Sequence, residues 1–124
     1  ALKFGTDKGA NMAIAVVDQS GLPLVVLRAD GATEQFFEGA MQKAWTSVNL
    51  KDSTRSLLEQ VKEGKEDNSL LPFVPKTLML MGGAPLKIGD VIVGAVGAAG
   101  SPSGLTDDAT AQHGAEKFAE LLKK

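Results

Sequence analysis

The stretch VIVGAVGAAG at residues 91–100 decides the fold class, because every side chain in it is apolar or small. In a β-strand, Val91 and Val93 point to one side while Ile92 and Gly94 point to the other. Neither face carries a polar group, so we expect a central strand that is covered on both sides. Its small residues let another backbone or a flat ligand approach closely, and packing is the commoner reason for them.

Other short apolar runs of strand length occur upstream of this segment. Together with it they give five predicted strands, at residues 12–18, 22–29, 78–81, 85–88 and 91–99. A short loop with a glycine joins the first two runs, and Gly89-Asp90 joins the last two, so each pair predicts a β-hairpin. Pro23 cannot donate to a ladder and therefore indicates a strand start or an open edge.

The predicted helices show a different period. Residues 33–50 place apolar side chains at helical spacing behind Thr33, a candidate N-cap. A shorter helix follows Ser53 and ends at Gly64, and residues 64–76 form a loop. Thr106 begins a final helix with Asp107 and Asp108 in its first turn, matching the helix dipole. With residues 1–4 as a last helical turn, the order ββαα then βββα predicts an α+β domain.

Length and composition exclude several classes of protein. We expect one domain over residues 1–124, since 124 residues is the size of a single domain. A net charge of −2 and only two arginines argue against nucleic acid as a partner. The absence of cysteine excludes disulfides and thiolate metal sites. The longest apolar stretch is too short to span a membrane, and the compartment, cytoplasmic or secreted, stays open.

The single histidine restricts the chemistry that one chain can perform. His113 lies opposite the apolar stripe of the final helix, either solvated or facing a neighbouring subunit. One histidine without cysteine cannot build a zinc site. The serine-rich GSPSG at 100–104 has Pro102 at its centre and is no nucleophile elbow. We therefore predict no metal site and no catalytic residues.

Three stretches together resemble a known family. They are AVVDQSGLPLVVLRADGA at 15–32, KAWTS at 43–47 and LMLMGGAPLKIGDVIVGAVGAAGSPSGLTDDATAQHG at 78–114. In their order and spacing they resemble the GlcG/HbpS-like family of haem-binding or haem-degrading domains, which also supplies the C-terminal domain of PduO-type proteins. Each motif is weak alone, and the set is specific. The Ala98-Ala99-Gly100 segment departs from the family's valine–serine–glycine.

The resemblance implies a three-layer α/β/α, profilin-like fold with a five-stranded antiparallel sheet and helices on both sides. It implies homo-oligomers, from dimers to octamers, and haem or a related tetrapyrrole as the ligand. Haem degradation is the activity that the resemblance allows, but the family name is not evidence of catalysis, and we expect a binding protein sooner than an enzyme. Family members begin with a longer helix, so we expect a truncated N-terminal helix here.

The family pattern also implies a ligand-binding group made of Arg28, Asp30, Lys43, Thr46, Gly82 and Gly83. Arg28 and Lys43 would form a cationic lip for a propionate or another small anion, or the polar residues would only pin the first long helix to the hairpin. Haem in one chain has His113, a methionine or a lysine as axial ligand, and bis-histidine ligation needs two subunits.

Three functions compete at this point. The first is an oligomeric haem-binding module, the second a structural homo-oligomer with a vestigial pocket, and the third an enzyme or accessory acting on a small organic acid. The lone outward histidine and the lack of an acid–base pair count against the third. We expect a binding module.

Overall fold

A computed structural model describes residues 1–64, 72–73 and 75–122 of the chain. In chain order the elements are α1 (Leu2–Asp7), β1 (Ala13–Asp18), β2 (Pro23–Arg28), α2 (Glu34–Leu50), α3 (Thr54–Lys62), β3 (Gly83–Ile88), β4 (Val91–Ala99) and α4 (Gly104–Leu122).

The strands form one antiparallel sheet in the order β2-β1-β4-β3. The long apolar strand β4 lies inside the sheet, where Ala99 pairs with Ala13 of β1 and Gly97 pairs with Gly83 of β3. Both predicted hairpins are present as β1–β2 and β3–β4. Pro23 opens β2, which is an edge strand, as the missing N–H requires.

Helices cover both faces of the sheet, which makes the fold α+β with three layers. On one face, the backbone of Gly97 lies against α2, so that an added Cβ would meet the Ala40 carbonyl oxygen. The neighbouring Val96 points to the opposite face and contacts α4 near Gly114. The α1 helix packs on α4, and α3 packs against α2 and β3. The expectation that β4 is covered on both sides is confirmed.

The predicted fifth strand is wrong, because the structure describes four strands and residues 78–81 are not among them. The Leu78 amide donates to the side chain of Thr46 on α2 at 3.0 Å, which ties this segment to a helix instead of a ladder. Pairing begins only at Gly82, whose carbonyl accepts from the Ala98 amide at 2.7 Å.

Most helix limits follow the predicted capping residues. The Ser53 side chain accepts from the Ser56 amide, as expected of an N-cap, whereas Thr33 caps α2 with its carbonyl only. The prediction for α4 is wrong at its start: the helix begins at Gly104, and Thr106 lies in its first turn. The α1 helix continues past residue 4 to Asp7. Residues 65–71 and 74 of the predicted loop, and the two C-terminal lysines, lie outside the described residues.

Candidate functional site

A buried ion pair joins α2 to the first turn of α4. The Lys43 ammonium donates to Asp107 Oδ2 and to the Ala98 carbonyl oxygen, each at 3.0 Å. The two charged side chains are only 5% and 7% exposed. One lysine thus connects α2, the end of β4 and α4, and two of its three N–H donors have acceptors within the protein.

Asp107 is held from two sides. Its Oδ2 accepts from Lys43, and its Oδ1 accepts from the Ser101 amide at 3.0 Å. Burial raises the pKa of the Asp107 carboxyl above its ordinary value, while the Lys43 charge and both hydrogen bonds act to lower that pKa. The sequence indicates Asp107 as a residue that complements the helix dipole. It carries no local signal for the pairing with Lys43, because the two residues lie on different helices, 64 positions apart.

Gly82 and Gly83, which the family pattern places in the ligand-binding group, lie directly beside Lys43. Gly82 has a φ of +128°, and an added Cβ would collide with the Ala98 carbonyl and approach Lys43 Cδ to 3.1 Å. A Cβ on Gly83 would meet the Lys43 carbonyl oxygen, and its own amide donates to Thr54 Oγ1 at 2.9 Å. The pair therefore lets the chain pass directly beside Lys43. Both glycines are buried.

Thr46 is fully buried one turn after Lys43. Its hydroxyl donates to the Gln42 carbonyl at 2.7 Å and accepts from the Leu78 amide at 3.0 Å. This places residues 78–81 against α2. Lys43 and Thr46 are both buried, so they belong to the face of α2 that points into the protein.

A second pair of charges lies next to the first. Arg55 of α3 donates to Asp108 Oδ2 at 3.2 Å, and the Asp108 side chain is 7% exposed. Asp108 Oδ1 is buried without a hydrogen-bond partner. Asp107, in the first turn of α4, and Asp108 next to it thus bind two different helices. The sequence indicated Asp108 only as a helix-dipole residue and gave no signal for its partner Arg55.

Two clefts open over the Lys43–Asp107 pair. The larger has a volume of about 420 Å³, with Phe36, Leu78 and Leu80 as apolar walls. The smaller has a volume of about 300 Å³ and is bounded by Leu58 and Met81. Both clefts are lined by Lys43, Leu80, Ser101 and Asp107. The ion pair is therefore a polar base that both clefts share, and Gln35, Glu38 and Gln42 also line the larger one.

Arg28 and Asp30 do not line either cleft. Both are exposed, and Arg28 Nη1 donates to the Ala32 carbonyl at 2.9 Å. Of the six predicted ligand-binding residues, the structure brings Lys43, Thr46, Gly82 and Gly83 together, and it leaves Arg28 and Asp30 apart. The cation that these clefts contain is Lys43, and Arg28 lies outside them.

His113 is exposed on α4, on the side that the sequence predicted. Its ring stacks on Phe4 of α1, with the ring centroids 4.7 Å apart and the planes inclined by 21°. Six residues separate it from Asp107, about 9 Å along the helix axis and about 240° around it. The histidine and the cleft therefore lie on different sides of α4.

Comparison with known proteins settles the family. The family described as haem degrading protein HbpS-like matches residues 1–116. This chain belongs to the HbpS-like family. The match covers nearly the whole chain, including α2, β4 and the start of α4. None of the curated proteins matches the chain.

Solved structures of HbpS-like proteins share the fold. A double mutant of HbpS from Streptomyces reticuli is 34% identical, with a TM-score of 0.85 over 94% of this chain and 77% of that one. The protein ORFY from Klebsiella pneumoniae is 26% identical, with a TM-score of 0.85 over 94% and 81%. A PduOC:heme complex is 25% identical, with a TM-score of 0.81 over 93% and 83%.

Two further observations concern the described residues of this HbpS-like chain. In residues 1–64, 72–73 and 75–122, no three acidic or histidine side chains come together as a metal site. Within the same ranges, no helix is both long and apolar enough to cross a membrane.

Proposed function

We propose that this protein is an oligomeric binding protein for haem or a related tetrapyrrole. The observation that carries the proposal is the similarity to PduOC, which was crystallised in complex with heme and has the same fold over 93% of this chain. The description of the matched family as haem degrading points to the same ligand class.

His113 is the candidate axial ligand of this proposal. The chain has one histidine and no cysteine or tyrosine, so the other candidates are methionine and lysine. Met12 is fully buried, and Lys43 is engaged by Asp107 and Ala98. His113 is exposed, and Phe4 supports one face of its ring, which leaves the imidazole edge accessible to an iron.

The larger cleft offers an apolar surface and a donor for a carboxylate, neither of which His113 itself provides. Phe36, Leu78 and Leu80 suit an apolar macrocycle, and the remaining N–H of Lys43 suits a carboxylate such as a propionate. Because His113 and the cleft lie on different sides of α4, one chain does not assemble a complete haem site. We therefore propose a site that is shared between subunits, with the imidazole and the cleft from different copies.

The other predicted ligand-binding residues take different roles in the proposal. Thr46, Gly82 and Gly83 are buried and would position Lys43 and the 78–81 wall instead of touching the ligand. Arg28 and Asp30 stay predicted ligand contacts, on an exposed surface outside the cleft.

We propose binding as the function, with any degradation being chemistry of the haem itself. The protein would then supply binding and orientation. Lys43 and Asp107 neutralise each other in the cleft and are held by fixed partners, so they suit a structural and binding role better than proton transfer.

A haemin titration followed in the Soret region tests the proposal. We expect a saturable shift for the wild-type protein and its loss in His113→Ala, because this removes the only imidazole. Glu116→Ala, an exposed change on the same helix, is the matched control and should titrate like the wild type. An unchanged spectrum in His113→Ala would remove this residue as the ligand, and a featureless wild-type titration would remove haem.

A second candidate ligand is a small carboxylate in the larger cleft. It is favoured by the 420 Å³ volume and by the Lys43 ammonium at the base. It is the function to test next if haemin does not bind.

A further inference from the structure

The two edges of the sheet differ in how well they are protected against pairing with another strand. At one edge, β3 carries Pro85, the exposed Lys87 and an irregularity between Leu86 and Lys87. These are the devices by which proteins block edge-to-edge association. At the other edge, β2 has Pro23 and an irregularity only at its start, and no described strand pairs with the outer side of its second half.

The open edge is also strongly apolar. The exposed fraction of Leu24 is 69%, of Val25 45% and of Leu27 49%, and Arg28 is the single charged residue of the strand. Val26 lies on the α2 side of the sheet, where it packs against Ala13, Ala15, Ala40 and Ala99. An uncharged, exposed edge strand is a template for a further strand.

The backbone of β2 has hydrogen-bonding groups that point away from the sheet. The Ala29 amide donates to the Met12 carbonyl, and the register continues as Arg28 opposite Ala13 and Leu27 opposite Ile14. In an antiparallel ladder, successive residues face alternately toward and away from the partner. The N–H and C=O groups of Val26 and Arg28 therefore face outward.

We propose that β2 pairs antiparallel with β2 of a second copy of this chain. A two-fold axis near Val26 or Leu27 satisfies the outward groups of both strands and extends each four-stranded sheet into the other. On one face, Leu27 of each copy then meets Val25 or Leu27 of its partner. This inference deepens the oligomeric part of the proposed function by naming the contact surface, and it needs no haem.

Antiparallel pairing keeps the single charged residue of β2, Arg28, away from its copy in the other chain. Arg28 shares the α2 side of the sheet with Val26, two residues before it. Antiparallel pairing brings each Arg28 beside the first half of β2 in the other copy, and so separates the two arginines. The surface cleft beside that first half is lined by Glu38 and Lys76 together with Pro23, so it presents one charge of each sign.

Sedimentation of the haem-free protein tests the interface. We expect the wild type to form at least a dimer of its 12.9 kDa chain, and Leu27→Lys to weaken self-association at least tenfold, since it places like charges at the contact. Ile88→Lys is the matched control, because Ile88 is 51% exposed on the protected edge, and it should sediment like the wild type. A monomeric wild type, or a Leu27→Lys protein with wild-type association, would overturn the proposal.

Cysteine cross-linking gives a second measurement that does not depend on a destabilising charge. The chain has no cysteine, so each introduced thiol is unique. Oxidised Leu27→Cys should give a covalent dimer if the axis lies at Leu27, and a mixture of Val25→Cys and Leu27→Cys should do so if it lies at Val26. Ile88→Cys should stay uncoupled. Failure of both cross-links overturns the edge pairing.

The outcome is separable from that of the haem proposal. A dimer through β2 with a featureless haemin titration removes haem and keeps the interface. A monomer that binds haemin removes the interface and keeps haem as the ligand.

Discussion

At the scale of single residues, the Lys43–Asp107 pair fixes three elements at one point. Its two hydrogen bonds reach residues that are 55 and 64 positions away along the chain. A buried ion pair contributes little more than well-packed apolar side chains would, yet removal of one partner leaves an uncompensated charge at a cost of about 3–5 kcal/mol. The pair therefore specifies geometry more than it adds stability.

Lys43→Met removes one partner of the ion pair, and we expect the resulting loss of stability to depend on pH. Without the ammonium, burial raises the pKa of Asp107 with less to oppose it. An acid whose pKa is raised in the folded state contributes stability that is present below its ordinary value of 3.8 and is lost as the pH rises through the raised pKa. We expect a loss of about 3–5 kcal/mol at neutral pH that shrinks toward pH 4.

Urea unfolding of the wild type and the variant between pH 4 and pH 8 measures this difference. Lys87→Met, a change at an exposed lysine, should stay within about 0.5 kcal/mol of the wild type at every pH. If Lys43→Met lowered the free energy of unfolding by the same amount at every pH, the loss could not come from an ionised Asp107 that lacks its partner.

At the scale of elements, the small residues of β4 set the distance between the sheet and α2. Gly97 faces the Ala40 carbonyl and the Ala44 amide, so the helix backbone rests directly on the strand. Packing, and not a flat ligand, explains these glycines and alanines. The cleft instead opens at the end of β4, where Ala99, Gly100 and Ser101 leave the sheet.

Two glycine-to-alanine changes should have opposite effects on stability. Gly97→Ala should destabilise the protein by about 1–3 kcal/mol, because the new Cβ would meet backbone atoms that no side-chain rotation can move. Gly39→Ala, within α2, should stabilise it by up to about 1 kcal/mol, since the nearest atom is Ala99 Cβ at 3.6 Å. The midpoints of urea unfolding measure both, and a neutral Gly97→Ala would contradict the close contact.

The elements were largely predictable because their signals are local. The two-sided apolar pattern of 91–100, the helical period of α2 and the Ser53 cap all lie within single segments. The site was not predictable to the same extent. Residues 78–81 have the composition of a strand, but a hydrogen bond to Thr46, 32 positions away, takes them out of the sheet. Lys43 likewise has partners that no periodicity can indicate.

At the scale of the whole molecule, the three layers separate the groups that a haem would need. α2 and the 99–101 turn bound the cleft, whereas His113 stacks on α1 at another side of α4. The family match covers residues 1–116, and the HbpS double mutant shares the fold over 94% of this chain. Subunit contacts decide whether these groups meet.

The ratio of haem to chains follows from the single histidine. His113 has one ring face on Phe4 and lines neither cleft over the Lys43–Asp107 pair, so the site proposed above combines the imidazole of one copy with a cleft of another. For that site we expect one haem per chain. Bis-histidine ligation, which needs two copies, would instead give one haem per two chains and a low-spin spectrum.

Native mass spectrometry, combined with the absorbance of the same sample, counts haem and chains together. If His113 from each of two copies binds one iron, the complex should carry a single haem per pair of chains and vanish in His113→Ala. A single-histidine site shared with the partner's cleft would instead give one haem per chain, still only in the dimer. A haem-loaded monomer would contradict both forms of the shared site.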